Sequence, residues 1–320
     1  MGALNVNIDA TVKAPGINWI DDSSLDEHML GMVLVQQYNL KKVLELFVDQ
    51  AEEATKNELQ QIHEFGMHIP MDAKFISLED KIRALSSLMF FVDKHNGRVK
   101  TQKCAVGSKQ RNFPGYVRLD WAYPTVTADG VVITSTIEAH EGCDVAVVDL
   151  PNDFLNANNS EKTLVLLKRR LMELMVQIDA QMYQKYITTS SKGFPMLYIC
   201  LSKALCGLLQ SVLLFYWKLR TELEDSGFAV NAYNPCVANK MVHSSQITVT
   251  WNVDDLKISH KDSLEVTKFP HHFGLIYGER MTVHRGKVHD YLGMDLDLST
   301  TNRLEIGIIK YIKKIHEYFP

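Results

Sequence analysis

The sequence has little of what marks membrane, secreted or zinc-ribbon proteins. No apolar run approaches the ~18 residues that a spanning helix needs, and the densest run, around Val212–Trp217, is far shorter. The 5 cysteines are odd in number and include no close pair, which argues against a disulfide framework or a zinc ribbon. Residues Met1–Val6 lack the apolar core of a signal peptide and the Ser or Thr of a myristoylation signal. We therefore expect an intracellular protein with no membrane partner.

An excess of positive charge is also missing. The chain has 34 Lys and Arg against 38 Asp and Glu, so a polyanionic partner would have to be held by a local patch. One such patch surrounds a hairpin turn predicted at Asn96-Gly97. Between Arg98 and Arg118 there is no acid, and the basic residues are Arg98, Lys100, Lys103, Lys109, Arg111 and Arg118. The run is either an ordinary solvated face or a surface that faces phosphates.

What is present is typical of a globular chain of about two domains, with 320 residues, 46% of them hydrophobic and 22% charged. Apolar periodicity predicts helices at Leu40–Phe65, Leu78–Leu88 after a Ser77 cap, Glu161–Tyr186 and Ser202–Ser226 before Gly227. Short apolar runs predict strands at Leu88–Val92, Asp144–Leu150 and Met196–Leu201. The segment Val126–Ile137 is rich in Val, Ile and Thr, and its second half fits either a continued strand or a short helix. Residues 1–37 show no sustained period.

The sharpest local feature is Ile247–Ser259, which reads ITVTWNVDDLKIS. Apolar and polar residues alternate along its first half, as expected for a strand with one buried face. A second strand resumes at Leu256, so the adjacent acids Asp254 and Asp255 are predicted at the tip of a tight hairpin. Aspartate is common in turns for local reasons, although a two-residue hairpin turn without glycine is unusual. Both a structural and a functional interpretation of the pair stay open.

A third carboxylate comes from Asp149, which ends the apolar run Asp144–Leu150 just before Pro151. If this strand shares a sheet with the hairpin, Asp149, Asp254 and Asp255 meet at one edge. Carboxylates so close repel each other unless cations neutralise them, and all-oxygen ligands suit Mg²⁺ that keeps waters and substrate phosphates. Two such ions about 4 Å apart serve nucleotidyl transfer. The spacing alone does not distinguish such a site from ordinary turn acids.

A series of short motifs follows in order along the chain. They are Cys104–Arg111 (CAVGSKQR), Ile137–Gly142 (IEAHEG), Asp144–Pro151 (DVAVVDLP), Lys203–Gly207 (KALCG) with Gln210, Asn231–Lys240 (NAYNPCVANK), Val253–His260 (VDDLKISH) and Gly286–Asp297 (GKVHDYLGMDLD). With these motifs the chain, from about Gln36 to its end, resembles the reverse transcriptase region of copia-type retrotransposon polyproteins, most closely those of algae and diatoms. A single acidic pair is a weak signal, whereas the ordered series is specific.

The resemblance implies an α+β right-hand polymerase, with fingers made of helices and a hairpin and an antiparallel palm sheet backed by helices. It places an irregular lead-in at 1–37, fingers at 38–125 and the palm at 126–320, which ends near the start of a thumb. The implied activity is RNA-directed DNA synthesis, with deoxynucleotides added to a primer 3′ end on an RNA or DNA template. The chain would derive from a longer polyprotein and act in the cytoplasm or in virus-like particles.

The same resemblance assigns roles residue by residue. Asp149, Asp254 and Asp255 match the catalytic carboxylates, which would hold two Mg²⁺, or Mn²⁺ in its place. The positions that match nucleotide-binding residues are Lys109 and Arg111 at the triphosphate, Phe154 at the sugar 2′ position and Gln210 near the templating base pair. The segment that matches the primer-holding hairpin is Tyr291, Leu292, Gly293 and Met294. On the residues alone, Phe154 is better explained as a core aromatic.

Departures from the family pattern leave two alternatives open. Asn152-Asp153 stands where a small pair is frequent, and Cys206 and Cys143 stand where Tyr and often Arg occur. Such losses favour an inactive retroelement relic that folds and binds nucleic acid, although all three aspartates are present. A protein-interaction module built on the helix Leu40–Phe65 is the other alternative, for which the sequence offers no specific motif.

Overall fold

Short apolar strands and amphipathic helices form three β-sheets with helices packed on them. The computed structural model describes residues 37–39, 48–93, 99–114, 116–117, 122–150, 154–159, 161–277 and 281–318. The mixed α+β class is therefore confirmed. No helix within these ranges is both long and apolar enough to cross a bilayer.

The strands in the described residues are short. In chain order they are β1 (Gln37–Asn39), β2 (His68–Met71), β3 (Leu85–Asp93), β4 (Val99–Ala105), β5 (Asp144–Asp149), β6 (Leu164–Lys168), β7 (Thr188–Thr189), β8 (Pro195–Leu201), β9 (Ala229–Val230), β10 (Val237–Val242), β11 (Ser245–Asn252), β12 (Asp255–His260), β13 (Thr282–Gly286), β14 (Val288–Tyr291), β15 (Met294–Asp297) and β16 (Glu305–Gly307).

The helices lie between these strands. They are α1 (Val48–Glu64), α2 (Leu78–Arg83), α3 (Ala128–Glu141), α4 (Arg169–Ile178), α5 (Ala180–Tyr183), α6 (Ser211–Asp225), α7 (Ser263–Tyr277) and α8 (Ile309–Tyr318). Single 3-10 turns occur at Ala73–Phe75, Gly107–Asn112, Phe154–Asn156 and Gln184–Tyr186.

Each sheet has its own strand order. The first runs β1-β3-β6-β8-β2, with β4 paired to β3 and β7 to β8. The second, β13-β5-β12-β11-β10-β9, is antiparallel at each of its pairings, and the third is β14-β15-β16. Strands β6 and β8, which follow residue 126, belong to the first sheet together with β3 and β4, so chain segments far apart in sequence form this layer.

The two largest hydrophobic clusters in the described part of the chain stabilise these layers. One lies between the first sheet and helices α1 and α4, and includes Leu59, Leu85, Val165, Met175 and Ile199. The other joins the second sheet to α6 and α7, and includes Val148, Phe215, Trp251, Leu256 and Phe273. Burying each such side chain contributes about 1.5–3 kcal/mol, so the second sheet is a rigid support for residues at the ends of its strands.

Several predicted elements are confirmed. Strand β8 matches its prediction, and β3 begins three residues earlier than its predicted start at Leu88. The hairpin between β3 and β4 is confirmed by the pairing of Asp93 with Val99, while the turn residues 94–98 lie outside the described residues. The ambiguous segment after Val126 is a helix, α3, because Thr127 caps its first turn by accepting from the Gly130 N–H.

Three predicted helices are wrong in part. The helix after Ser77 ends at Arg83, since Leu85–Asp93 pairs with three strands and tertiary pairing overrides local periodicity. Glu161–Tyr186 contains strand β6 before α4, because its short apolar run LVLLK fits a buried strand as well as a helix. The helix predicted at Leu40–Phe65 is not one of these three: it spans Val48–Glu64 in the described residues, and its predicted start at 40–47 lies outside them.

The third wrong helix is Ser202–Ser226, whose helical part starts only at Ser211. Gly207 has φ +84° and lies against the Ala105 carbonyl, where an added Cβ would stand 2.2 Å from the oxygen. The chain therefore needs glycine there and cannot continue as a right-handed helix. The predicted stop at Gly227 is confirmed, also with φ +84°.

The interpretation of the basic run as a solvated or phosphate-facing surface is wrong for Lys103. This side chain is 1% exposed and contacts His68 Nε2, while its backbone N–H donates to Glu58 Oε1 at 3.0 Å. Burial lowers the pKa of Lys103 to about 7, and burial together with the Lys103 charge lowers the pKa of His68 well below its usual value. Arg98 and Arg118 lie outside the described residues.

This buried lysine makes stability depend on pH. In the folded state the amine loses its proton near pH 7, whereas in the unfolded chain it keeps the proton to about pH 10.4. The unfolded state binds more protons in that window, so stability rises with pH there. Between pH 7 and 10 we expect the free energy of unfolding of the wild type to rise by about 3 kcal/mol relative to that of Lys103→Met. Urea unfolding at each pH measures it, with the exposed Lys74→Met as control. Parallel profiles for wild type and Lys103→Met would contradict the expectation.

Candidate active site

Strands β5 and β12 place the acids predicted from the sequence. In β5, Val145–Val148 are buried, so the strand is fixed by apolar packing and its last residue, Asp149, is exposed. Strand β12 lies beside β5 and pairs Asp255 directly with Asp149. The backbone N–H of Leu150 also donates to the Asp254 carbonyl at 3.0 Å. The backbones of the three predicted acids therefore meet at one edge of the second sheet.

The hairpin turn differs by one residue from its prediction. Asn252 pairs with Asp255, so the two turn residues are Val253 and Asp254, and Asp255 is the first residue of β12. Val253 has φ +57° and lies in the turn rather than on the buried strand face. A β-branched residue in the left-handed region is strained, at a cost of about 1–3 kcal/mol. This strain lies next to the carboxylates, which is where functional sites concentrate it.

The electrostatics of the site are dominated by repulsion among neighbouring acids, as the pKa of Asp255 shows. Burial first, and then the charges of Asp254, Asp149 and Asp290 in that order, raise the pKa of Asp255 to about 6. Two carboxylates directly opposite each other on paired strands destabilise the sheet. An external cation would relieve this repulsion.

The donor set fits a hard divalent cation, since every acid here offers oxygen. In the described ranges, however, no three His, Cys, Asp or Glu side chains are already grouped to hold one metal ion. The backbone thus brings the carboxylates to a common edge, and their side chains would reorient to share an ion.

Asp290 was not among the residues predicted from the sequence. It lies on β14, directly before Tyr291, and its charge acts on the Asp255 carboxyl. The feature of the sequence that could have identified Asp290 is its position directly before Tyr291–Met294, the segment assigned to the primer. Nothing local in the sequence shows that β14 reaches the hairpin of Asp254 and Asp255.

A buried ion pair lies on the same strand as Asp255. Lys257 is 0% exposed, contacts Glu138 of α3 and lies 3.3 Å from Thr134 Oγ1. Residues two apart on a strand point to the same face, so Lys257 follows Asp255 along one side of the sheet. The charge of Lys257 is matched by Glu138, and Lys257 is not among the groups that shift the pKa of Asp255.

The segment Tyr291, Leu292, Gly293 and Met294 forms the turn between β14 and β15. Leu292 and Gly293 have φ +54° and +77°, which is the type I′ geometry that favours glycine in a hairpin. The Tyr291 side chain is buried, and its hydroxyl donates to the Thr250 carbonyl at 3.1 Å. This bond attaches the third sheet to the strand that leads into the acidic hairpin.

The predicted triphosphate residues lie on the 3-10 turn Gly107–Asn112. The Lys109 ammonium donates to the carbonyls of Ile82 and Ala84 at 2.7 and 3.1 Å, so it closes the end of α2. Burial, and then the charge of Lys168, lower the pKa of Lys109. Arg111 is exposed.

The two remaining predicted residues are packed into the protein. Gln210 is buried at the start of α6, accepts from Gln110 at 3.1 Å and donates to Glu161 at 3.3 Å. Phe154 lies on a 3-10 turn and packs, partly buried, against the second core. Gln210 thus joins the Lys109 turn to α6, whereas Phe154 belongs to the layer that carries the acids.

Comparisons with known proteins give a weak likeness. No protein-family model and no curated protein matches the chain. It is similar to apo telomerase from Candida tropicalis, with TM-score 0.41, 10% identity, and coverage of 79% of this chain and 51% of that chain. It is also similar to telomerase from Candida albicans in complex with a TWJ fragment of telomeric RNA, with TM-score 0.36, 10% identity and coverage of 77% and 49%. The chain spans about half the length of these structures. Likeness at this level carries no functional argument.

The opposed carboxylates predict a pH effect in the absence of metal. The pKa of Asp255 near 6 in the folded state exceeds the ordinary value near 3.9 in the unfolded chain, so stability falls as the pH rises between these values. We expect Asp255→Asn to stabilise the metal-free protein by about 1 kcal/mol at pH 7, a value reduced for solvent screening of a partly exposed group. Below pH 4 the gain vanishes. Urea unfolding in chelator tests this, with the exposed Asp262→Asn as control; a variant less stable than wild type at pH 7 would refute it.

The Tyr291 hydrogen bond predicts a structural effect. Tyr291→Phe leaves the buried Thr250 carbonyl without this donor, which costs about 1 kcal/mol. Denaturant unfolding should detect the loss, whereas Tyr233→Phe, at a side chain that is 98% exposed, should leave stability unchanged. Equal stabilities of the two variants would show that the third sheet is held by other contacts.

Proposed function

We propose that this chain is the reverse transcriptase domain of a copia-type retrotransposon. The observation that carries the proposal is the in-register pairing of Asp149 with Asp255, with Asp254 in the adjoining turn. The ordered series of family motifs supports the proposal independently of the structure, because Asp149, Asp254 and Asp255 match the catalytic positions of those motifs.

The reaction proposed is template-directed extension of a primer by deoxynucleotides. The primer 3′ hydroxyl attacks the α-phosphate of the nucleotide, and pyrophosphate leaves. Asp149, Asp254 and Asp255 would hold divalent cations, Mg²⁺ or Mn²⁺, which when bound stabilise the attacking and leaving oxygens. The carboxylates themselves fix the place of reaction, because two of them end paired strands of a rigid sheet.

The other assigned residues would orient the substrates. Arg111 is exposed and offers a fork of donors to the triphosphate, whereas Lys109 would first have to leave the two carbonyls that it now contacts. Phe154 packs in the same layer as the acids, as expected of a residue that screens the sugar 2′ position. The Tyr291–Met294 turn, attached to β11 through Tyr291, is suited to hold the primer end.

An inactive relic that folds and binds nucleic acid is the second candidate. Two observations favour it: Lys109 and Gln210 are engaged within the protein, and no metal-binding group is preassembled in the described ranges. Nucleic acid would then be held through its phosphates, and binding would weaken steeply with salt.

Primer extension on a primed RNA template with Mg²⁺ and deoxynucleotides tests the proposal. We expect wild type to extend the primer, and Asp149→Asn or Asp255→Asn to reduce the rate at least about a hundred-fold, because each removes several kcal/mol of charge stabilisation. The exposed Asp129→Asn is the matched control and should keep the wild-type rate.

Template binding, measured by fluorescence anisotropy over a salt series, separates the two candidates. The Asn variants should bind the template at least as tightly as wild type, since each loses a negative charge. Salt-dependent binding without extension by wild type would identify a relic. A folded protein that neither binds nor extends would contradict both.

A further inference from the structure

Two cysteines from distant parts of the chain lie against each other. Cys104 is the penultimate residue of β4, and Cys206 lies in the loop that precedes α6. The Ala105 N–H donates to the Cys206 carbonyl at 2.8 Å, and the two thiols share a hydrogen bond. All five cysteines of the chain are reduced in this structure.

The contact between these segments is close and well supported. A Cβ added to Gly107 would stand 1.9 Å from the Gly207 carbonyl oxygen, so the two backbones touch. Hydrogen bonds continue the contact, because Gln110 accepts from the Leu209 N–H at 3.0 Å and donates to Gln210 at 3.1 Å. These contacts hold the two cysteine-bearing segments side by side.

The two thiols differ in access to solvent. Cys104 is 3% exposed, whereas Cys206 is partly exposed. The hydrogen bond with Cys206 and burial raise the pKa of Cys104, so Cys104 keeps its proton and an oxidant meets Cys206 first.

We propose that Cys104 and Cys206 form a modification site at which a small-molecule disulfide, such as oxidised glutathione, oxidises the two thiols to a Cys104–Cys206 disulfide. The Cys206 thiolate attacks one sulfur of the oxidant, forming a mixed disulfide and releasing one glutathione. The Cys104 sulfur then attacks the Cys206 sulfur, its proton passes to the departing glutathione thiolate, and the second glutathione is released. The protein loses two protons and two electrons, and the oxidant becomes two thiols.

The disulfide would join the end of β4 to the loop that precedes α6. It would close a loop of about 100 residues, and the restriction that a disulfide places on the unfolded chain grows with loop length. The proposal is independent of polymerase activity, because it rests only on the contact between the two segments.

Mass spectrometry of the folded full-length chain, treated with oxidised glutathione and then alkylated, tests the site. Trypsin releases Cys104–Lys109 and Ala204–Lys218, each with a single cysteine, and we expect these peptides joined, with a loss of two hydrogens. Cys200→Ser is the matched control and should keep the joined pair. Cys104→Ser should stop at a glutathione adduct on Cys206, and Cys206→Ser should give neither product.

Thermal unfolding gives a second readout. Oxidised wild type should melt several degrees above the reduced protein, and this shift should be absent from Cys206→Ser. A stable glutathione adduct on wild-type Cys206 without the joined peptides would overturn the proposal. Cys104 joined to a different cysteine, or no modification of folded protein, would overturn it as well.

Discussion

The pairing of β5 with β12 is the constraint on which the site depends. It sets Asp149 opposite Asp255 through backbone pairing, although Asp254 follows Asp149 by 105 positions in the sequence. A register shift of one residue would turn Lys257 and its neighbours to the wrong face. The apolar residues Val148, Leu256 and Ile258 hold the register by burying one side of each strand.

Side-chain hydrogen bonds connect other segments of the chain to one another and to the strands that lead to Asp149 and Asp255. The Tyr291 hydroxyl donates to the carbonyl of Thr250 on β11, the strand that leads to the acids, and this hydrogen bond attaches the third sheet to the second. The first sheet has a separate core, and the Lys109 turn is tied to α6 through Gln110 and Gln210. The residues assigned to nucleotide and primer thus lie on two layers, one of which shares its hydrophobic core with the strands that carry Asp149 and Asp255.

Much of this follows from the sequence, and the exceptions have physical causes. The strand that ends in Asp149 and the acidic hairpin are marked by local apolar patterns, so they were predictable. The burial of Lys103 was not, because it depends on Glu58 of α1 and His68 of β2, which only tertiary packing brings near β4. The turn at Val253 has a backbone conformation that valine disfavours, so no propensity predicts it. The role of Asp290 follows from the position of β14, which is set by tertiary contacts.

The ion pair of Lys257 and Glu138 has a consequence for the charge at the sheet edge. Lys257 lies two residues from Asp255 on the same face, where a lysine left alone would act as an internal counter-ion for the carboxylates. Glu138 pairs with the Lys257 ammonium instead, so less positive charge is left to oppose a cation that binds the carboxylates from solution. Replacing Glu138 with glutamine would leave the Lys257 ammonium without its carboxylate partner, and the positive charge would then oppose the binding of a cation at the acidic end of the sheet.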